Sequence, residues 1–498
     1  MKKHTIILWF FILCLPAGLH YALRSLPAKT ATPQDTLAPE ESSTADTDST
    51  EPNTNANSAL PETMHHATAK QAIQTWNTTK GAKVYFIQNN TLPMVDITLS
   101  LDAGSSRDAE HPGLAALWLN LLDQGTTQLS ADQIAEQFEN TGALFNSSLA
   151  KDQATLTLRS LSDPKIVSAL TDLLATLIAT PAFSEPSIAS IKAQQLIRIQ
   201  QKQQQPNVIA QDAFSAAIYG NHPYAHPGVG SEKTLASIGL QELRAFHARY
   251  AVAKNSTITL VGNLTVDDAK QLSEKLVQQL PEGMPAPALE AVTLLKASSE
   301  QRIDYASEQT HIMMGAPCIA EGDPDYFALL LGNYLLGENG LSNELFNEVR
   351  EKRGLAYNVG SRLNTLKEAG PFIIKLQTKN TQAQEAIDCV KETLRRFLKE
   401  GPSEEALDMA KNGLIRAFPL TINSNAKLSD ALSTMAFYGL PLDFLDTYQQ
   451  KIQALTHAQV KAALQKHLDP EKMALIVVGP ASNIPPSAAR STPFQGGV

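Results

Sequence analysis

Apolar and polar residues change their spacing several times along the chain, and each change marks an element. Residues 83–88 (KVYFIQ) and 93–101 (PMVDITLSL) alternate with the period of two expected of strands. Over 111–123 and 130–141 the apolar residues recur every three to four positions instead, which predicts two helices. Ser130 and Gln133 stand in capping-box register at the start of the second. The run ALFNSSLAKDQATLTLRSL, residues 143–161, returns to strand spacing and reads as a strand pair. Helical patterns follow over 165–180 and 187–205, and STITLVGN, residues 256–263, is a β-rich run containing Gly262. Strands, helices, strands and helices in that order predict an α+β domain of roughly 200 residues.

The second half repeats markers of the first. AIYG at 217–220 is echoed by AFYG at 436–439, and TLVG at 259–262 by IVVG at 476–479, offsets of 219 and 217 residues. Two markers shifted by nearly the same amount indicate an internal duplication. Pro and Gly interrupt the periodicity in LPEGMPAPALEAV, residues 280–292, where a hinge is expected. The fold expected is α+β, two homologous domains over 80–282 and 295–482 enclosing a cleft in which a ligand would bind.

Upstream of the first strand the pattern is different. Lys2 and Lys3 precede an apolar run at 6–15, the layout of a bacterial export signal. Residues 1–25 are read as a signal peptide or, with the apolar run reaching Leu23, as an inner-membrane anchor. Pro, Thr, Ser, Asp and Glu dominate residues 26–75 and aromatics are missing, so this stretch is expected to be a disordered linker. Residues 483–498 are expected to be a flexible tail. The implied location is the periplasm, soluble or tethered to the inner membrane.

Charge and cysteine usage narrow the partners. A formal net charge of −9 without a basic stripe argues against nucleic acid. The three cysteines, Cys14, Cys318 and Cys389, have the spacing of neither a zinc ribbon nor a disulfide scaffold. Cys318 and Cys389 are read as buried free thiols, with a pairing in an oxidising compartment as the alternative.

Residues 113–126 read GLAALWLNLLDQGT, and residues 343–361 read NELFNEVREKRGLAYNVGS. With these two stretches the body of the chain resembles the insulinase/pitrilysin-type zinc metallopeptidases. Their catalytic half carries an inverted motif, His-x-x-Glu-His, in a frame like GLAHFLEHMLFKGT. In such a motif two His at i and i+4 share one helix face and bind zinc, and the Glu activates the metal-bound water. Here the corresponding residues are Ala116, Leu119 and Asn120, none of which performs those roles. The family's third ligand is a Glu on a later helix; QQLIRIQQKQQQP, residues 194–206, offers Ile197 or Arg198 in its place. No zinc is expected in this chain. His222 and His226 in HPYAH are four apart, but Pro223 and Pro227 predict a loop, and His111 is read as a loop or cap residue.

The second stretch resembles the family's other signature, an Arg and a Tyr seven residues later that reach the substrate from the C-terminal half. Ungapped, these are Arg350 and Tyr357, with Arg353 as the competitor. A guanidinium suits a substrate carbonyl or terminus, and a phenol suits the oxyanion of the tetrahedral transition state. The resemblance implies a degenerate subunit, inactive alone. It would supply Arg350, Tyr357 and half of a peptide chamber to a zinc-bearing homologous partner in a heterodimer acting on a peptide or unfolded protein. The alternative is a non-catalytic peptide- or protein-binding scaffold of the cell envelope.

Overall fold

The computed structural model describes residues 72–481 other than 341. The expected signal or anchor, nearly all of the linker and the expected tail lie outside the described residues. Among the described residues no helix is long and apolar enough to cross a membrane.

The N-terminal sheet has six strands: β1 (Gln74–Asn77), β2 (Lys83–Gln88), β3 (Met94–Leu101), β4 (Leu144–Leu149), β5 (Ala154–Leu161) and β6 (Ser256–Gly262). Their order is β1-β2-β6-β3-β5-β4, with β2 and β6 parallel and the other neighbours antiparallel. The intervening helices are α1 (Leu114–Leu121), α2 (Ala131–Thr141), α3 (Pro164–Ala179), α4 (Glu185–Gln203), α5 (Pro206–Tyr219), α6 (Glu232–Ser237) and α7 (Leu240–Tyr250), with α8 (Val266–Val277) after β6. The predicted capping box at Ser130 and Gln133 opens α2. Strand β1, which precedes the expected start of the body, pairs with β2.

The C-terminal sheet is built from β7 (Ser299–Asp304), β8 (Gln309–Pro317), β9 (Ala356–Leu363), β10 (Pro371–Lys379) and β11 (Ala474–Gly479), in the order β7-β11-β8-β10-β9. Its single parallel pair is β7 with β11, so β7-β11-β8-β10-β9 repeats β2-β6-β3-β5-β4 strand for strand. Its helices are α9 (Tyr326–Asn333), α10 (Ala383–Glu400), α11 (Glu404–Thr421), α12 (Asn425–Tyr438), α13 (Phe444–Ala454) and α14 (His457–His467). Two π-helical segments, Tyr334–Glu338 and Phe346–Lys352, lie between α9 and β9. The fold is therefore α+β with two domains of one topology.

Both sheets bury both faces of their central strands. On β3, Val95, Ile97, Leu99 and Leu101 join the helices of their own half in one apolar core. The alternate residues Asp96, Thr98 and Ser100 are also buried, and the helix packed there is α12, from the other half. The C-terminal sheet reciprocates: Ala210, Phe214 and Ile218 of α5 pack on Met313, Ile373, Ala474, Ile476 and Val478. The repeated tetrapeptides are now explained. AIYG and AFYG end the two exchanged helices, and TLVG and IVVG end strands covered by the helix of the opposite half.

A polar knot joins the halves beside these helices. Asp152 in the β4–β5 turn is fully buried and accepts from Tyr224 Oη at 2.5 Å, Tyr438 Oη at 3.2 Å and the Lys367 backbone N–H at 2.8 Å. Asp102 binds Arg107 Nε and Nη2 at 2.8 and 2.9 Å and also pairs with Lys367 of the other half.

Candidate functional site

Helix α1 carries the degenerate positions, and its start is built from outside the helix. Gly113, the N-cap, has φ 101° and no side chain to cap with; a Cβ there would come within 2.7 Å of the Val229 carbonyl. The cap is supplied by Asp108, whose two oxygens accept from the Gly113 and Ala115 N–H groups at 2.7 Å each. Burial pushes the Asp108 carboxyl up to about 7, against those two hydrogen bonds and nearby Lys151. Downstream, Trp118 is fully buried, and its indole N–H donates to His247 Nδ1 at 3.2 Å.

The three motif positions are closed to a metal. Ala116 and Leu119 are buried and offer no donor atom, and the Asn120 amide donates to the Ala116 carbonyl of its own helix at 2.7 Å. On α4, Ile197 is 53% exposed and Arg198 is exposed, and neither side chain supplies a carboxylate. The helices are joined at Gln195, which donates to the Gly113 carbonyl at 3.2 Å, and at Ser187, which donates to the Gln124 carbonyl at 3.3 Å. Between those anchors the buried side chains of α4 are Ile188, Ile191 and Gln195. Neither these buried positions nor Ile197 and Arg198 carry a carboxylate, so the residues present do not fit a zinc ion.

Other histidines of the N-terminal half make local contacts. His222 caps a 3₁₀ turn through Nδ1 at 3.2 Å from the Tyr224 N–H, with Nε2 at 2.9 Å from the Glu290 carbonyl. Burial lowers the pKa of His226, with Lys151 acting in the same direction. His111 Nδ1 lies 3.4 Å from Ser237 Oγ. Asp323, Asp325 and His467 come close together in the C-terminal half, but Asp325 Oδ2 already binds Lys466 at 2.7 Å and His467 at 2.8 Å. Cys318 and Cys389 are free and buried.

Arg350 and Tyr357 are brought together. Strand β9 opens with a bulge: Ala356 pairs with Thr378 and Asn358 with Gln377, leaving Tyr357 as the extra residue. A bulge re-aims a side chain, and Tyr357 is 80% exposed, not the half-buried residue of a regular strand. The Arg350 guanidinium carbon lies 4.8 Å from the Tyr357 ring centroid and 4.7 Å from that of Phe346. The guanidinium is thus within cation–π distance of two aromatic rings.

Neighbouring charges are otherwise engaged. Glu348 binds Lys352 at 2.7 Å and Arg396 at 2.9 Å, contacts that hold its carboxyl below its ordinary range. Arg353, the competitor, binds Glu392 at 3.1 Å. Arg350 meets Glu351 only at 3.8 Å, a weak contact at a half-exposed position. Phe346 was not singled out from sequence, although its i, i+4 spacing to Arg350 was a usable signal. Asn343 prepares this turn by accepting from the Phe346 N–H at 2.8 Å. The Arg/Tyr pair and α1 belong to different halves.

Comparison with known proteins gives the family. Residues 83–231 match the insulinase (peptidase family M16) domain, and residues 237–414 match the peptidase M16 inactive domain. The crystal structure of a peptidase M16 inactive domain from Pseudomonas fluorescens is 38% identical, with TM-score 0.80, over 82% of this chain and 98% of that one. The chain belongs to the peptidase M16 family. This M16 chain is 27% identical over 402 residues to the non-peptidase homolog YmxG of Helicobacter pylori, covering 79% of this chain and 91% of that protein. It is 25% identical to the uncharacterized zinc protease YmxG of Bacillus subtilis, covering 83% and 100%. A protease structure from Helicobacter pylori shares the fold at TM-score 0.77 and 17% identity, over 82% of this chain and all of that one. Lacking the ligand set on α1 and α4, this chain fits an inactive M16 homologue.

Proposed function

We propose that this M16 chain is the non-catalytic subunit of a heteromeric zinc peptidase, contributing Arg350, Tyr357 and half of a peptide chamber to a zinc-bearing homologous partner. The observation that carries the reading is the Arg350 guanidinium, which lies against both Phe346 and Tyr357 while the stronger carboxylate contacts nearby go to other cations. Holding a cation on two rings fixes its position without neutralising it, which leaves its N–H groups for a substrate carbonyl or a developing oxyanion. Zinc belongs to the partner on this reading, and the substrate is a peptide or unfolded protein. The lysines and apolar run before residue 25 support export, with residues 26–75 as a tether and the periplasm as the location.

The test is peptide hydrolysis by the chain reconstituted with the zinc-bearing homologue recovered with it from its native host. Arg350→Ala and Tyr357→Phe are expected to leave assembly intact on size-exclusion chromatography. Each lowers turnover by about a hundredfold to a thousandfold, the usual effect of removing one transition-state donor. Full activity of both variants in an assembled complex refutes the shared site. That result would favour the second reading, a binding scaffold of the cell envelope, which the name of the non-peptidase homolog also supports.

A further inference from the structure

Each exchanged helix covers only part of its sheet. Helix α5 lies over β11 and β8, and α12 lies over β6 and β3. Residues directly opposite on paired strands share a face, so the register shows what stands beside each helix. Ile373 of β10 is under α5 together with Met313 of β8. On that same face Ile373 pairs with Arg362, Lys375 with Gly360 and Gln377 with Asn358, and Lys379 follows on β10. Asn358, Lys375, Gln377 and Lys379 are exposed, and Arg362 is half-exposed. No Asp or Glu stands on this face of β8, β9 or β10. In a chain with 50 acidic against 41 basic residues, that is a local excess of positive charge.

The cations are not a requirement of the fold. The corresponding open face of the N-terminal sheet pairs Arg159 with Leu144, Thr157 with Asn146 and Thr155 with Ser148. Its one charge, Arg159, already donates to Asp96 at 2.8 Å. Lysines often protect a sheet edge from pairing, but β10 is an interior strand between β8 and β9. Lys375 donates to Gln211 of α5 at 2.6 Å, which leaves its charge uncancelled by that contact. Glu338, which interacts with Arg362, accepts from Asn333 Nδ2 at 2.6 Å. Arg350 and Tyr357 stand at the start of the same strand, β9, next to Asn358.

We propose that this open face of β9 and β10 is a wall of the peptide chamber and selects acidic segments, whose carboxylates meet Arg362, Lys375 and Lys379. The chamber is taken from the proposed function, and it is common to the peptidase-subunit and scaffold readings. An extended peptide presents every second side chain to one side, so alternating acids match a sheet face. The probe is a labelled peptide with Glu at alternate positions, compared with its Gln and Lys counterparts by fluorescence anisotropy on the full chain. Binding needs no zinc-bearing partner, so failure to reconstitute hydrolysis leaves this measurement standing. The Glu peptide is expected to bind about tenfold tighter than the Gln peptide at low salt, with the gap closing as salt is raised. Arg362→Gln combined with Lys379→Gln removes most of the gap. Lys233→Gln combined with Lys270→Gln, which removes the same charge from exposed positions on α6 and α8, keeps it. Equal affinity for the Glu and Gln peptides, tighter binding of the Lys peptide, or no measurable binding of the Glu peptide overturns the proposal. So does a gap that survives Arg362→Gln with Lys379→Gln, since cations elsewhere would then be responsible.

Discussion

At the scale of single residues, the chain shows how a metal site is lost without loss of the helix that carried it. Ala116 and Leu119 are packed into α1 as ordinary buried residues, and Asn120 is engaged with its own helix. Restoring the motif by Ala116→His, Leu119→Glu and Asn120→His is expected to give no stoichiometric zinc by metal analysis after gel filtration. Two His at i and i+4 are only part of a ligand set, and α4 offers no carboxylate at Ile197 or Arg198 or among its buried residues Ile188, Ile191, Gln195 and Ile199. The variant is also expected to be less stable by about 2–4 kcal/mol in urea titration, because a carboxyl and an imidazole replace buried apolar groups. One tightly held zinc per chain would show that the defect lies elsewhere. The missing ligands were legible in sequence because identity alone decides them. Tyr357 was legible as a spacing from Arg350, but its exposure was not, since the bulge is a property of the β9–β10 register.

Among the elements, α5 and α12 matter most because each completes a core it does not belong to by position in the chain. Phe214 of α5 is fully buried against strands of the other half. Phe214→Ala is expected to cost about 3–5 kcal/mol, the usual range for truncating a buried aromatic. Its effect should appear far away in sequence. In hydrogen exchange, β11 and β8 should lose protection before β6 and β3. Loss confined to the N-terminal strands would mean that the apolar seat is not what holds α5. Neither helix was assigned from the sequence; only the tetrapeptides at their ends were singled out, as markers of the duplication. Which sheet each covers was not readable, because an amphipathic helix specifies that it needs an apolar neighbour without specifying whose.

For the whole molecule, the exchange makes the two halves interdependent. Residues 281–298 join them without regular structure, and Lys296, Ala297 and Ser298 are exposed. A protease site placed at those three residues and cut in the folded chain is expected to leave both fragments eluting together at the mass of the uncut protein. The joint is held by buried surface on both exchanged helices and by the Asp152 and Asp102 contacts, not by the linker. The melting midpoint should fall by no more than about 5 °C, which corresponds to roughly 4 kcal/mol for a chain of this size. Separation of the fragments on cutting would show that the covalent link carries the assembly.

What the sequence determined by itself was local or additive: the α+β class from alternating periods, the duplication from repeated tetrapeptides, and the absence of His and Glu from the zinc motif. Each of these depends on the order of residues within a short window, or on comparing two such windows. Only the tertiary structure decided which residues of α4 are buried between its anchors to α1, why Arg353 meets a carboxylate at 3.1 Å and Arg350 only at 3.8 Å, and which sheet each exchanged helix covers. Those outcomes come from packing between segments up to several hundred residues apart. There the choice among chemically similar partners is made by the geometry of the sheets and of the exchanged helices, which no short window of sequence contains.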